Sequence, residues 1–283
     1  MLVIKSSSEL LNLISGIKKN KDTIAFVPTM GNLHEGHLNL VSIAHQYGAV
    51  VIVSIFVNPL QFNLAEDLNE YPRTLEKDII HCEDNDVDIL FVPSDNDIYP
   101  QSGEGQRINL PELSTLSNIL EGASRPNHFS GVVTVVKKLF ELVRPDYVIF
   151  GEKDFQQLLI IKKMIEILDL PIRIISSKTI RETDGLAKSS RNSKLSSNER
   201  QLAINLYKVL KSIREQIISG NNNFIELTND GTITLSESGF GPDYLVVRDC
   251  VDLRQASVKN NNDRIILIAA WLGKTRLIDN LRL

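Results

Sequence analysis

Residues 26–40 read FVPTMGNLHEGHLNL. An apolar run ends at Val27, then come Pro28, Thr29, Met30 and Gly31, and apolar residues recur at helical spacing from Leu38 onward. This is the pattern of a buried strand turning into a helix that starts near Gly36. The turn itself holds two imidazoles, His34 and His37, and two glycines. A helix N-terminus offers unpaired N–H groups and the positive end of the helix dipole, which favour bound phosphate. Gly31 and Gly36 leave room for backbone to pass close to a ligand. His34 and His37 are placed to donate hydrogen bonds to a polyphosphate as charge builds on it. Two other readings compete: a turn with incidental histidines, and a zinc site. Zinc fits less well, because the helical H-E-x-x-H pair sets its histidines one position further apart and no third ligand motif follows.

Outward from that turn, "TIAFV" (23–27), "AVVIVSIFV" (49–57), "VDILFV" (87–92), "DYVIFG" (146–151) and "IRIISS" (172–177) read as buried strands, nearly continuous in apolar residues as in a parallel sheet. Between them, Val132, Val135, Val136, Leu139, Phe140 and Val143 form one helical stripe. Phe155, Leu158, Leu159, Ile165 and Leu168 form another. The alternation predicts an α/β fold, a Rossmann-like doubly wound parallel sheet with helices on both faces. Such sheets bind ligands beyond the carboxyl ends of their strands, where the opening turn falls. The pattern changes near residue 178. "SSNERQLAINLYKVLKSIREQII" (196–218) predicts one long amphipathic helix opened by a capping box of Ser196 and Glu199. "SGNNNF" is a polar turn, and "TITLSES" (232–238), "DYLVVRD" (243–249) and "RIILIAAWLG" (264–273) read as strands without helices between them. "KNNND" (259–263) reads as a polar loop. Two domains are therefore expected: residues 1–178, Rossmann-like, and a smaller C-terminal α+β domain over 179–283.

Composition narrows the classes. The 283 residues are 42% hydrophobic and 23% charged, enough to bury a sizeable core. A net charge of -4 gives no hint of a nucleic-acid surface, so no nucleic-acid partner is expected. Cys82 and Cys250 stand far apart in no ligand spacing and read as reduced thiols. No stretch approaches the roughly 20 apolar residues of a membrane span, and "MLVIKSSSELL" lacks the pattern of a secretory leader. A cytoplasmic protein without a membrane partner is the expectation.

Three further stretches carry polar groups to the ends of apolar runs. "NPLQF" (58–62) follows an apolar strand and offers Asn58 and Gln61 as amides. Gln61 also fits a plain exposed strand end, and Gln157 a solvent-facing helix position. "GEKD" (151–154) puts Gly151 between strand and helix, with Lys153 a candidate phosphate contact and Asp154 a candidate partner of ribose hydroxyls. A charged helix cap is the alternative there. "KSSR" (188–191) is a polar stretch rich in donors, Arg191 being a planar, permanently charged one. Its composition alone is that of a flexible linker.

The H-x-G-H turn resembles the nucleotidylyl-transferase superfamily. "PTMGNLHEGH", "SIFVNPLQF", "YPRT", "HFSGVVTVV", "GEKDFQQL" and "RETDGLAKSSRNSKLS", in that order and up to "LGKTRLIDN", resemble the pantothenate synthetase (pantoate–β-alanine ligase) family. The resemblance implies a two-step reaction: pantoate is adenylated by ATP with release of pyrophosphate, and β-alanine then displaces AMP to give pantothenate. It implies His34 and His37 as catalytic residues at the nucleotide and phosphates, His37 as the family's general acid. Met30, Gly31, Gly36, Gly151, Glu152, Lys153, Asp154, Ile180, Lys188, Ser189, Ser190 and Arg191 then join them around ATP. Gln61 and Gln157 match the family's pantoate-binding glutamines, with Met30, Asn58 and Phe62 beside them. Glu121 and Arg125 fall at the rim. Mg²⁺ is expected on the ATP phosphates, with no dedicated protein metal site, and a homodimer is implied. The 188–191 loop takes the place of the superfamily's K-M-S-K-S loop, and the C-terminal domain that of a lid. Lys188 departs from the family pattern, in which methionine more often precedes the two serines; it adds a cation. Two other functions remain open: a nucleotidylyltransferase that stops at transfer of AMP, and an inactive nucleotide-binding module. A tRNA synthetase is disfavoured by length, acidity and the want of an anticodon module.

Overall fold

Six segments pair into one sheet: β1 (Leu2–Ile4), β2 (Ile24–Thr29), β3 (Val50–Ile55), β4 (Ile89–Phe91), β5 (Tyr147–Gly151) and β6 (Arg173–Ser177). The computed structural model describes residues 1–63, 65–100, 107–257 and 263–283. All pairings in this sheet are parallel, in the order β1-β4-β3-β2-β5-β6. Ile24, Ala25, Phe26 and Val27 are wholly buried, which is why the central strand reads as an unbroken apolar run. The predicted α/β sheet is the one observed. The edge strand β1 was not expected, being only 3 residues long. The helices of this part are α1 (Ser7–Lys19), α2 (Glu35–Ala44), α3 (Ala65–Asn69), α4 (Leu75–Asp84), α5 (Asp95–Ile98), α6 (Ser114–Ser117), α7 (Glu121–Ser124), α8 (His128–Val143) and α9 (Phe155–Ile167). The whole predicted stripe of α8 is buried. Leu168 of the second stripe falls in the turn just past α9.

The strand order reverses at β2, which has β3 on one side and β5 on the other. At such a switch point the two outgoing loops part and leave a crevice at the carboxyl ends. Here the pairing of β2 with β5 stops at Phe26↔Val148. Pro28, two residues on, has no N–H with which to extend the ladder. The turn that carries His34 and His37 follows β2 at this carboxyl-terminal switch point, where such sheets bind ligands.

By its internal contacts the chain divides into two units, Met1–Glu152 with Ile160–Lys178, and Lys153–Leu159 with Thr179–Leu283. In the second unit, α10 (Ser197–Leu202), α11 (Asn205–Ile218) and α12 (Phe224–Glu237) precede an antiparallel sheet of β7 (Phe240–Asp249), β8 (Arg264–Leu272) and β9 (Thr275–Arg282). Its core joins Leu206, Leu210 and Ile213 of α11, Leu227 and Leu235 of α12, and Ile266 and Ile268 of β8.

Two expectations for this unit are corrected. The helix predicted over 196–218 is two helices. The Ser196–Glu199 capping box is present, but at Ala203 the chain tightens and Leu206 N–H bonds the Ala203 carbonyl three residues back. "TITLSES", expected as a strand, lies almost wholly in α12. Its alternation of β-branched residues suggested period two. The buried residues are Leu227, Gly231 and Leu235, a spacing of four, and Ile233 is left 57% exposed. Thr228, Thr232, Thr234 and Ser236 satisfy their hydroxyls on carbonyls four residues back, so the helix tolerates them. Gly231 permits the close approach: a Cβ there would lie 2.7 Å from a methyl of Leu245. Of the polar loop expected over 259–263, residues 259–262 lie outside the described residues.

Candidate active site

The opening turn is built by its own histidines. His34 is the N-cap of α2, and His37 is the third residue of the helix. Gly36 N–H donates to His34 Nδ1 at 3.1 Å, and His34 N–H donates to His37 Nδ1 at 3.4 Å. This is a capping box made with imidazoles in place of the usual hydroxyl and carboxylate. The rings lie 4.1 Å apart, tilted. A ring nitrogen that accepts carries no hydrogen, so each neutral imidazole bears its hydrogen on Nε2. Both rings are thereby set as Nε2–H donors at a helix N-terminus.

The loop before them is held by a residue that sequence reasoning missed. Asp78 of α4 is 1% exposed and accepts from Asn32 N–H at 2.9 Å and Leu33 N–H at 2.7 Å. Thr74 adds its hydroxyl at 3.2 Å. Gly31 has φ +80, and a Cβ on it would meet Ile55 at 3.0 Å and Asp78 at 3.1 Å. Glycine suits this position in both conformation and space. The signal was there to read: Asp78 shares the helical face of Leu75, Ile79 and Cys82, and a carboxylate on an apolar stripe needs buried partners.

Gln61 ends the 3-10 turn Pro59–Gln61 after β3. Asn58 Nδ2 donates to Gln61 Oε1 at 3.0 Å, so the Gln61 amide directs its NH₂ toward Met30, whose sulfur lies 3.1 Å away. Asn58 does not meet the expectation of an amide offered to a ligand. It is 1% exposed, donates also to the Gly131 carbonyl at 3.1 Å, and accepts from Tyr99 OH at 2.8 Å and Leu60 N–H at 3.3 Å. It braces Gln61. Burial raises the Tyr99 phenol, which keeps it protonated and able to donate. The Gln61 carbonyl is held from behind by His128 Nδ1 at 2.8 Å and Arg125 Nη2 at 3.3 Å. Arg125 also donates to His128 Nε2 at 3.3 Å, which puts the His128 hydrogen on Nδ1. Arg125 therefore supports Gln61, and buried His128 was missed as its partner. Met30 borders a cleft of about 430 Å³ with Phe56, Pro59, Leu75 and Val92. Phe62 packs edge-on against Tyr71, ring centres 5.7 Å apart.

Other expected site residues fall at the ends of β5 and β6 and in the second unit. Gly151 closes β5, and beyond its chain neighbours no described atom lies within 4 Å of where its Cβ would be. Glu152 accepts from Ser176 Oγ at 3.1 Å. Lys153 and Asp154 belong to the turn ahead of α9, and Gln157 is half-buried on that helix. Residues 181–187 form a short hairpin closed by an Arg181–Ala187 bridge, and Lys188 N–H bonds the Ile180 carbonyl at 2.9 Å. The loop expected from "KSSR" is a 3-10 turn, Ser190–Lys194, capped by Ser189 Oγ on Arg191 N–H. Lys153, Ser189 and Arg191 line one small pocket with Arg276 and Asp279. Lys188 is otherwise engaged, in an ion pair with Glu182 at 3.0 Å. The extra cation is thus balanced by a carboxylate on its own hairpin.

A parallel sheet whose order reverses at β2, followed by a helix that starts on H-x-G-H, is the arrangement of a nucleotide-binding α/β protein. The chain belongs to the pantoate–β-alanine ligase family, whose profile, described as Pantoate-beta-alanine ligase, matches residues 2–282. A Schizosaccharomyces pombe relative named pantoate–β-alanine ligase is 46% identical over 282 residues, covering 100% of this chain and 99% of its own. A Vibrio vulnificus relative named pantothenate synthetase is 49% identical, covering 96% of this chain and 90% of its own. The crystal structure of pantothenate synthetase from Thermus thermophilus is 39% identical, covers 99% of both chains and superposes with a TM-score of 0.90. Pantoate–β-alanine ligase from Francisella tularensis, solved in complex with "Beta-gamma ATP" and β-alanine, is 38% identical with a TM-score of 0.80, covering 99% of this chain and 97% of its own.

Proposed function

We propose that this protein condenses pantoate with β-alanine in an ATP-dependent reaction, forming pantothenate, AMP and pyrophosphate by way of pantoyl adenylate. The observation that carries the reading is the imidazole capping box at the carboxyl end of β2, in a chain of this family. A carboxylate is a poor acyl donor. Attack of a pantoate carboxylate oxygen on the α-phosphorus forms the anhydride and breaks the bond to the β-phosphate, so pyrophosphate leaves. The β-alanine amine then attacks the activated carbonyl carbon, and AMP leaves with the anhydride oxygen.

The residues divide the work. His34 and His37 donate from Nε2 to phosphate oxygens as charge grows on them, and His37 serves as general acid. The α2 N-terminus adds its dipole. Lys153, Ser189 and Arg191 meet the phosphates, with Ser190 and the Ile180 and Lys188 backbone around them. Gly151, Glu152 and Asp154 face the nucleoside. Gln61 offers its NH₂ to a pantoate oxygen, Gln157 a second amide, and Met30 and Phe62 apolar cover for the methyl groups. Among the described residues no group of three or more His, Cys, Asp and Glu could hold a metal ion. We assign Mg²⁺ to the ATP phosphates, where it would screen their charge. We also assign the protein to the cytoplasm, as a homodimer with the second unit acting as a lid. Among the described residues no helix is long and apolar enough to cross a membrane. Sedimentation equilibrium at micromolar concentration tests the dimer.

Substrate omission tests the reaction. Pyrophosphate should form with ATP and pantoate alone, to about one equivalent per site, and AMP should require β-alanine as well. AMP formed equally fast without β-alanine would exclude amide synthesis.

A further inference from the structure

Asp279 is buried on β9 and pairs with Arg181 in a fork: Nη1 to Oδ2 at 2.6 Å and Nη2 to Oδ1 at 2.9 Å. Arg181 also donates to the Gly185 carbonyl at 3.1 Å and the Asn280 carbonyl at 3.0 Å. Its guanidinium lies over the Tyr207 ring, 3.9 Å from the centroid. Asn280 N–H donates to Asp279 Oδ1 at 2.7 Å, and Asn280 Nδ2 to the Lys153 carbonyl at 2.8 Å. The cluster thus ends on the backbone of two separate segments. One is the hairpin 181–187, which runs directly into Lys188–Arg191. The other is the turn that bears Lys153. Lys153, Ser189, Arg191 and Asp279 line the same pocket.

A buried ion pair is weak evidence for stability, because desolvation offsets much of its attraction. Burial pushes the Asp279 carboxyl upward, and the hydrogen bonds and charge of Arg181 oppose that. Such a pair is better understood through what it holds in place. Lys153 also lies within electrostatic reach of Asp279, whose two carboxylate oxygens are forked to Arg181. We propose that Arg181, Asp279 and Asn280 are positioning residues that set the spacing of Lys153 from Ser189 and Arg191 for the phosphates of ATP. The proposal rests on the reading of Lys153, Ser189 and Arg191 as phosphate contacts. Misplacing such groups by about an ångström can slow chemistry by roughly 10²-fold.

Asn280→Ala is the mildest test, since it cuts the tie to the Lys153 carbonyl and leaves the ion pair in place. It should raise the ATP KM by about tenfold and slow single-turnover formation of the acyl adenylate. The pantoate KM and the melting temperature should stay near those of the parent protein. Asn280→Asp, alike in shape but without the donor, should show the same loss. Asp279→Asn and Arg181→Lys should lose more, with Asp279→Glu recovering part of it. In a Lys153→Ala background Asn280→Ala should add nothing to the ATP KM, because two residues acting through one contact are not additive. Equal effects of Asn280→Ala in the two backgrounds would overturn the proposal, as would an unchanged ATP KM when Lys153→Ala alone raises it. If Lys153→Ala leaves ATP KM and adenylation intact, the phosphate reading of Lys153 fails first and the proposal falls with it.

Discussion

His34 and His37 cap α2 through Nδ1, and the proposed function gives each a second job, donation from Nε2 to phosphate. Substitution can separate the jobs. Asparagine is among the best N-cap residues, so His34→Asn should hold the melting temperature, while His34→Ala should cost about 1 kcal/mol of stability. Both should weaken ATP. His37→Ala should slow single-turnover adenylation by roughly 10²-fold or more, the range for losing a positioned donor or acid. A rate within a few-fold of the parent would leave His37 a cap and nothing more. Cys82 gives a second residue-scale test. Burial first, then the charges of Asp78 and Glu83, push its thiol from 9.0 up to about 12. The thiolate is the reactive form, so native Cys82 should resist a thiol reagent at pH 8 and react once the chain is unfolded. The same shift has a sign for stability. Between about 9 and 12 the unfolded thiol loses its proton and the folded one keeps it, so stability should fall as pH rises through that window. Urea midpoints at pH 8 and pH 10.5 measure this.

Among the elements, α12 shows how a helix can read as a strand. The period-two alternation of threonine and apolar residues is present in the sequence. It is overruled because Leu227 and Leu235 enter a core shared with α11 and the sheet, and Gly231 lets α12 lie close against β7. Gly231→Val should therefore destabilise the protein by about 1–3 kcal/mol through overpacking, despite the higher strand propensity of valine. If 232–238 were a strand, that substitution would be neutral or stabilising. Chemical denaturation decides between the two. Valine at exposed Thr234, by contrast, should change little.

For the molecule as a whole, the reaction requires water to be kept from a mixed anhydride, a task the lid reading gives to the second unit. The 188–191 segment is a capped turn with its own hydrogen bonds, so any ordering by nucleotide starts from a partly formed structure. We expect ATP with magnesium to increase hydrogen-exchange protection across residues 185–195, and Arg191→Ala to lose that protection together with adenylation rate. Equal protection with and without ATP would mean that the turn is rigid beforehand and that closure does not involve it.

The sequence by itself determined the parallel sheet, because strands buried on both faces must be apolar throughout and parallel strands need helical crossovers. It also placed His34 and His37 at a helix start and pointed to the family, since those are local patterns and ordered blocks. Tertiary structure decided what depends on partners remote in the chain. Asn58 looked like a ligand's amide and proved to be a brace, because its partners Tyr99 and Gly131 lie 41 and 73 residues away. Lys188 reads in the sequence as an added cation, and only the fold shows that it pairs with Glu182. Asp78, His128 and the Arg181–Asp279 pair went unread in their supporting roles for the same reason. A buried polar group takes its meaning from whichever hydrogen-bonding partner the fold brings to it, and no local period or spacing records that choice.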